Sequence, residues 1–235
     1  RRQRQMCIRD SSLHVPKLLL VAGKNRITAE GKLEKSDARI SFAVQAPALE
    51  QLGADFAGDL QINGEIRGDV QQPRIVANWQ GNRLRIPGQT IINATQGKTD
   101  ISLNRNANAF LINSVTLAAT AQGFNTSAQQ IAKLSAQAQF SSQANAPLSL
   151  VVRADGISGN QLRADTFNLD VSGTTAQHTF NVTLAEREQN WKISAAGSLK
   201  DLTRAPRWEG AINTFDAAGH LTTKLSAPAK LLISQ

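Results

Sequence analysis

The sequence predicts an all-β protein, built as one long antiparallel-rich sheet with one apolar face and at most one or two short helices. Apolar and polar residues alternate with period two through most of the chain, as in strands that turn one face away from water. Turn signals divide this pattern into about fourteen short stretches, and short connections favour antiparallel neighbours. Because a sheet of more than about ten strands curls, a barrel, a sandwich or a trough is expected.

The clearest strand lies at positions 60–70. Every even position there is apolar or glycine, and every odd position from 59 to 69 is polar or charged. Gly64 and Gly68 fall on the apolar side, where a glycine lets a sheet bend or a large apolar group approach. We interpret them as thin places in the wall of a trough. Residues 69–73 read as a turn, since Pro73 cannot donate to a strand ladder.

Two segments suggest helix instead of strand. In residues 47–56, Leu49, Leu52 and Phe56 have helical spacing after a proline, which predicts a short helix or helical turn. Residues 125–133 are a second, weaker helix candidate. The remaining alternation continues to the last residues, so about fourteen strands at about 4.8 Å spacing would form an object roughly 70 Å long. A trough of that length would be a conduit instead of a pocket.

The first eleven residues, RRQRQMCIRDS, differ from the rest of the chain. They contain its single Met, its single Cys and four arginines, and they resemble a translated sequencing adapter. We expect residues 1–11 to be a non-native extension and residues 12–235 to be one continuous segment, internal to a longer protein. The formal charge is +8, and removing four arginines and Asp10 subtracts a net +3 and leaves +5. Because no helical or aromatic pattern accompanies these arginines, no nucleic-acid partner is expected.

The residue types of catalytic and metal sites are thinly represented. His14, His178 and His220 are scattered without partners at metal-ligand spacing, and we expect His178 to lie at a surface or sheet edge. No nucleophile elbow, phosphate-binding loop or dinucleotide fingerprint occurs. We therefore expect no enzyme, no metal and no cofactor.

Three stretches resemble the TamB family, the translocation and assembly module proteins of Gram-negative bacteria. They are GDLQINGEIRGDVQQPRIVANWQGNRLRIPGQTI (58–91), LRADTFNLDVSGTTAQHTFNVTLAEREQNWKISAAGSLKD (162–201), and RWEGAINTFDAAG followed by LSAPAKLLIS (207–234). The resemblance implies an elongated, curled sheet, or β-taco, that forms an open groove with an apolar inner face. It also implies a periplasmic portion of a protein anchored in the inner membrane by a helix outside this segment.

The resemblance implies phospholipid transport between the inner and outer membranes and support of outer-membrane protein assembly. The implied partners are phospholipid acyl chains and, through parts of the protein outside this segment, a TamA-like outer-membrane barrel. The residues expected to line the groove lie on the apolar phase of the alternation. They are Ile40, Phe42, Val44, Leu60, Ile62, Ile66, Val70, Ile101, Leu103, Val115, Leu117, Leu148, Leu150, Val152, Phe167, Leu169, Val171, Phe180, Val182, Leu184, Trp191 and Ile193.

A structural or binding β-solenoid of the passenger type is the alternative. Its inner face would be packed shut by its own side chains, and it would not transport lipid. A solenoid is expected to show a regular repeat and ladders of asparagine or aliphatic residues, whereas the strand spacing here is variable.

Overall fold

A computed structural model describes residues 12–34, 38–106, 109–143, 145–159, 162–201 and 207–234, so the predicted extension at 1–11 lies outside the described residues. All described strands belong to a single sheet. The strands are β1 (Leu13–Ala22), β2 (Asn25–Leu33), β3 (Arg39–Ala46), β4 (Ala57–Arg67), β5 (Arg74–Ile86), β6 (Thr90–Asn106), β7 (Ala109–Asn125), β8 (Gln129–Ser141), β9 (Pro147–Gly159), β10 (Ala164–Thr174), β11 (His178–Glu186), β12 (Gln189–Lys200), β13 (Arg207–Ala218), β14 (Thr223–Lys224) and β15 (Ala229–Ser234).

Each strand pairs antiparallel with the next one along the chain, from β1 through β14, and β15 pairs with β13. The sheet is open: β1 forms one edge, and β14 and β15 share the other. The prediction of an all-β, curled antiparallel sheet with an open groove is therefore confirmed. The described strands do not form the stacked coils of a solenoid, because every pairing except that of β15 joins consecutive strands of one meander.

The two predicted helices have different outcomes. A single 3₁₀ turn, Leu49–Leu52, stands where a short helix or helical turn was predicted for residues 47–56. The prediction for residues 125–133 is wrong, because Thr126 closes a tight turn between β7 and β8. Its hydroxyl accepts hydrogen bonds from the main-chain N–H groups of Ala128 and Gln129 at 3.3 and 3.0 Å. No helix within the described ranges is long and apolar enough to cross a membrane.

The strand predicted at 60–70 ends earlier than expected. β4 stops at Arg67, and the Asp69 carboxylate accepts hydrogen bonds from the main-chain N–H groups of Gln71 and Gln72 at 2.7 and 2.8 Å. This turn takes Val70 off the strand and into the β4–β5 connection. Gly68 lies in the same connection with φ +89° and is not part of a strand. The prediction that it lies on the apolar side of a strand is therefore also wrong.

A line of backbone irregularities crosses the sheet from β4 to β9. Gly58, Arg83, Gly123 and Gly156 all have positive φ, between +49° and +96°. Along this line, residues three apart in sequence come to the same side, although regular alternation would put them on opposite faces. Ala154 and Ile157, for example, are buried in one cluster. We call this line the crease, because bulges of this kind bend strands.

The crease brings two sets of apolar side chains together. Its first cluster joins the 3₁₀ turn to the sheet and consists of Ala46, Leu49 and Leu84, with Val44, Phe56, Leu60 and Ile92 packed against them. The second cluster consists of Ala154, Ile157 and Ala164, with Ile131, Leu134, Phe167 and Leu184 packed against them. The sheet therefore curls over its apolar face along one side, where the core is packed.

The crease can be tested at Gly156, whose φ of +62° suits glycine or asparagine. We expect Gly156→Val to lower the free energy of unfolding by about 1–2 kcal/mol, because a β-branched residue is strained in the left-handed region. Gly156→Asn is the control: its Cβ meets the Ala132 methyl group as the valine would, at 2.9 Å, but asparagine tolerates this φ. Urea unfolding measures both variants. Equal losses would show that crowding, and not the backbone conformation, governs the site.

Candidate functional site

A row of apolar residues runs straight across the sheet, one from each strand from β2 to β13. Each residue is the direct partner of the next across a strand pair, so all of them lie on the same face. At the usual strand spacing of about 4.8 Å the row is about 50 Å long. We call it the central row: Ile27, Val44, Ile62, Trp79, Gly97, Ala119, Ala136, Val152, Leu169, Val182, Ile193 and Phe215.

The predicted lining residues gather on the face that the central row defines, with Val70 as the exception. Two neighbouring rows repeat the pattern: one contains Phe42, Leu117, Leu150, Val171 and Phe180, and the other contains Ile40, Ile66, Ile101 and Val115. Sequence reasoning missed Ile75 and Trp79 of β5, which pair with Ile66 and Ile62. The signal was available, since positions 75, 77, 79 and 81 alternate as apolar or glycine.

The apolar face is neither sealed nor fully solvated. Of the predicted lining residues, Ile40 and Val171 are buried, and the others are half-buried. The central row is half-buried along its whole course through β3 to β13, whereas the fully packed clusters lie beside it, along the crease. The face therefore presents a continuous apolar strip that water and small apolar groups can reach.

Three aromatic side chains lie over glycines of the sheet. A Cβ added to Gly64 would come within 2.5 Å of the Phe42 ring, and one added to Gly97 within 2.2 Å of Trp79. Trp208 covers both Gly197 and Gly210 in the same way. The interpretation of Gly64 as a thin place in the wall is wrong, because the Phe42 ring occupies that space. Aromatic cover of sheet glycines stabilises the sheet by packing the ring on the exposed backbone.

His178 is buried, contrary to the expectation of a surface or edge position. Its side chain is 1% exposed, level with Gly173 and Gly197 of the flanking strands. Nδ1 lies 2.9 Å from the Thr174 carbonyl oxygen, and Nε2 accepts a hydrogen bond from the Trp208 indole N–H at 2.9 Å. Since a carbonyl oxygen only accepts, Nδ1 is the ring nitrogen that donates to it. This pair links β11 to β13 across β12, and sequence alone does not reveal it.

Thr95 and Thr99 of β6 bring hydroxyl groups to the apolar face without leaving them unpaired. The Thr95 and Thr99 hydroxyls donate to the main-chain carbonyls of Thr120 and Thr116 at 2.9 and 3.3 Å. The Trp79 indole N–H in turn donates to the Thr95 hydroxyl at 3.4 Å. Because a hydroxyl bonded to its neighbouring strand offers less to water, these positions interrupt the apolar character of the face only slightly.

The opposite face is polar and carries ion pairs between neighbouring strands. Arg153 Nη2 donates to Asp170 Oδ1 at 2.8 Å, and Arg74 Nε donates to Asp100 Oδ1 at 2.7 Å. The hydrogen bond from Arg74, aided by its charge, holds the pKa of the Asp100 carboxyl below its usual value. On the same face, Arg67 lowers the pKa of Glu65. Solvated cross-strand pairs of this kind help fix which residues stand opposite one another.

The described residues contain no group of three His, Cys, Asp or Glu side chains that could hold a metal ion. The site is instead the groove side of an open, curled β-sheet, which has one apolar face and one solvated face. Two stretches, 7–112 and 113–232, match the family model described as TamB, N-terminal domain. Because these matches cover nearly all of the sequence, the chain belongs to the TamB family. The boundary between them falls inside β7, so both lie in one continuous sheet. No curated protein and no solved structure matches the chain.

The aromatic cover can be tested at Gly97. We expect Gly97→Ala to destabilise the protein by about 1–3 kcal/mol, because the new methyl group overlaps Trp79 and the Ala118 carbonyl. In a Trp79→Ala background the same substitution should cost less. Urea unfolding of the four proteins gives the coupling energy, expected at about 0.5–3 kcal/mol. A coupling energy of zero would mean that the indole does not define this contact.

The pair between Arg74 and Asp100 predicts a pH dependence. Because the folded-state pKa of Asp100 is lowered, the pair's contribution is fully present above the unfolded-state pKa of about 3.9 and is lost as pH falls through the folded-state value. Asp100→Asn should therefore lose less stability than the unchanged protein between neutral and acidic pH. The difference should be below about 1 kcal/mol, since solvent screens the pair. Identical acid curves for the two proteins would contradict this.

Proposed function

We propose that the apolar face carries the acyl chains of phospholipids, and that the chain is a section of a conduit between the inner and outer membranes of a Gram-negative cell. In this proposal the protein spans the periplasm from an inner-membrane anchor. It also supports outer-membrane protein assembly with a TamA-like barrel, which contacts other parts of the protein. The observation that carries the proposal is the unbroken central row across the strands β2 to β13, which is half-buried from β3 onward.

The energetics of lipid transfer favour such a surface. Each CH₂ group moved from water to an apolar environment gains about 0.8 kcal/mol, so a lipid chain crosses water only at high cost. An uninterrupted apolar strip removes that cost over its whole length, because an acyl chain that slides from one residue of the central row to the next stays in contact with apolar atoms. The polar headgroup remains in solvent at the open side of the sheet.

Two further features support a conduit over a sealed structural core. Exposed apolar surface of this extent is a liability for a protein that has no ligand for it. The packed clusters of the crease lie to one side of the central row, which the first of them touches at Val44, and they leave the row accessible. Family membership points in the same direction, since the matched family is that of TamB.

Site-specific photo-crosslinking in cells tests whether the two faces differ in lipid contact. A photoreactive residue at Ile62, Ile66 or Phe180 should capture phospholipid, because these positions lie on the apolar face. The matched controls are Gln61 and Asn181, their neighbours on the solvated face, which should capture little. Mass spectrometry of the adducts identifies the lipid. Equal labelling of both faces would overturn the proposal.

A charge in the central row tests conduction separately from binding. We expect Ile62→Arg to abolish complementation of a transport-deficient strain, because the guanidinium would interrupt the strip at half-buried depth. Gln61→Arg places the same charge on the exposed face of the same strand and should complement fully. If Ile62→Arg complements as well as its control, lipid does not pass along this row.

A further inference from the structure

The β6–β7 hairpin extends the apolar face beyond the neighbouring strands. β6 and β7 have 17 residues each, more than any other strand. Past the level of Ile101, the pairing continues through Leu103 opposite Ile112 and Arg105 opposite Phe110. Phe110 and Ile112 are 49% and 51% exposed. We call Leu103, Arg105, Phe110 and Ile112 the hairpin end.

Arg105 differs from the other basic residues by its position. Arg39, Arg74 and Arg153 stand on the solvated face with a carboxylate within 4.0 Å. Arg105 lies two residues after Leu103 and four after Ile101, so its side chain falls on the same apolar face. Among the basic residues of the described strands, it is the one that strand pairing places there. Its guanidinium has no ion pair with a described carboxylate.

The main chain holds this end of β6 in place. The N–H of Leu103 donates to the Pro73 carbonyl at 3.0 Å, and the N–H of Arg105 donates to the Gln71 carbonyl at 2.7 Å. Arg105 is therefore fixed at its backbone while its side chain is exposed to solvent. A guanidinium beside exposed apolar side chains matches a ligand that is anionic at one end and apolar at the other, since guanidinium groups bind phosphate oxygens in a bidentate fork.

We propose that the hairpin end binds the headgroup of a phospholipid, with Arg105 on the phosphate and Phe110, Ile112 and Leu103 against the first part of the acyl chains. This rests on the proposed function, because the same chains would continue onto the central row. The apolar residues orient the lipid along the face, and the arginine distinguishes phosphate-bearing lipids from uncharged ones with the same chains. The hairpin end is then the point at which lipid is recognised.

Calorimetric titration of the protein with two short-chain ligands tests this. One ligand is dihexanoyl phosphatidylglycerol below its micelle concentration, and the other is dihexanoylglycerol, which has the same chains without phosphate. We expect the unchanged protein to prefer the phospholipid by about tenfold, the size of one charge-assisted contact. Arg105→Gln should abolish that preference and leave the affinity for dihexanoylglycerol unchanged. Arg105→Lys should keep part of it, since an ammonium binds phosphate without the fork.

The matched control is Lys98→Gln. Lys98 is an exposed basic residue of the same strand, but it lies on the solvated face opposite Asn78. Its substitution removes the same charge and should leave the preference unchanged. Equal loss of preference in Arg105→Gln and Lys98→Gln would overturn the proposal in favour of diffuse charge attraction, and so would an unchanged preference in Arg105→Gln. If the unchanged protein binds both ligands equally, the headgroup site fails and the conduit stands. If it binds neither, both proposals fail.

Discussion

The register of the antiparallel pairs is the constraint on which the rest of this structure depends. Side chains alternate between faces with a period of two, so a slip of one residue in a single pair would carry every apolar side chain of the following strands to the solvated face. Here the pairing keeps apolar residue opposite apolar residue from Ile27 to Phe215. The short connections and the cross-strand ion pairs of the polar face, such as Arg153 with Asp170, hold that register.

Interior packing follows from the same register. Phe42 and Trp79 stand directly opposite Gly64 and Gly97, and Trp208 lies over Gly197 of the adjacent strand and Gly210 of its own. Each ring therefore covers backbone that would otherwise face solvent. The glycine and the aromatic residue that covers it form one packing unit. Neither residue alone indicates how the face is packed at that point. Such units make the face smoother, since a bulky side chain fills a gap instead of standing above the sheet. The surface of the apolar face is thus formed by contacts between residues of neighbouring strands, and not by the side chains of each strand alone.

Much of the fold could be predicted from the sequence, because period-two alternation is a direct signature of one-sided strands. The apolar phase at Ile40, Ile62, Val152 and Ile193 was sufficient to place these residues on one face. The limits arose where a long-range partner decides the outcome. Gly64 was interpreted as a gap because the ring that covers it belongs to another strand, and His178 was assigned to the surface because its partner Trp208 is 30 residues away.

Local signals failed for two further reasons. The crease passes through β5 at Arg83, a residue with no left-handed preference, so no glycine marks the bulge in that strand. The helix predicted at 125–133 is replaced by a turn and the start of β8, because pairing of β8 with strands on both sides decides the conformation there. Val70 was lost from the site because the Asp69 turn ends β4 three residues earlier than alternation suggests.

The one-residue-per-strand composition of the central row has a consequence for how such a protein changes length in evolution. Adding or deleting a whole hairpin adds or removes two neighbouring strands, each with one residue of the central row. All other strand pairs keep their register. The cross-section of the groove then stays constant, while its reach changes by about 10 Å for each hairpin. Loss of a single strand would instead reverse the direction of every strand that follows. Variation in length is therefore expected in steps of two strands.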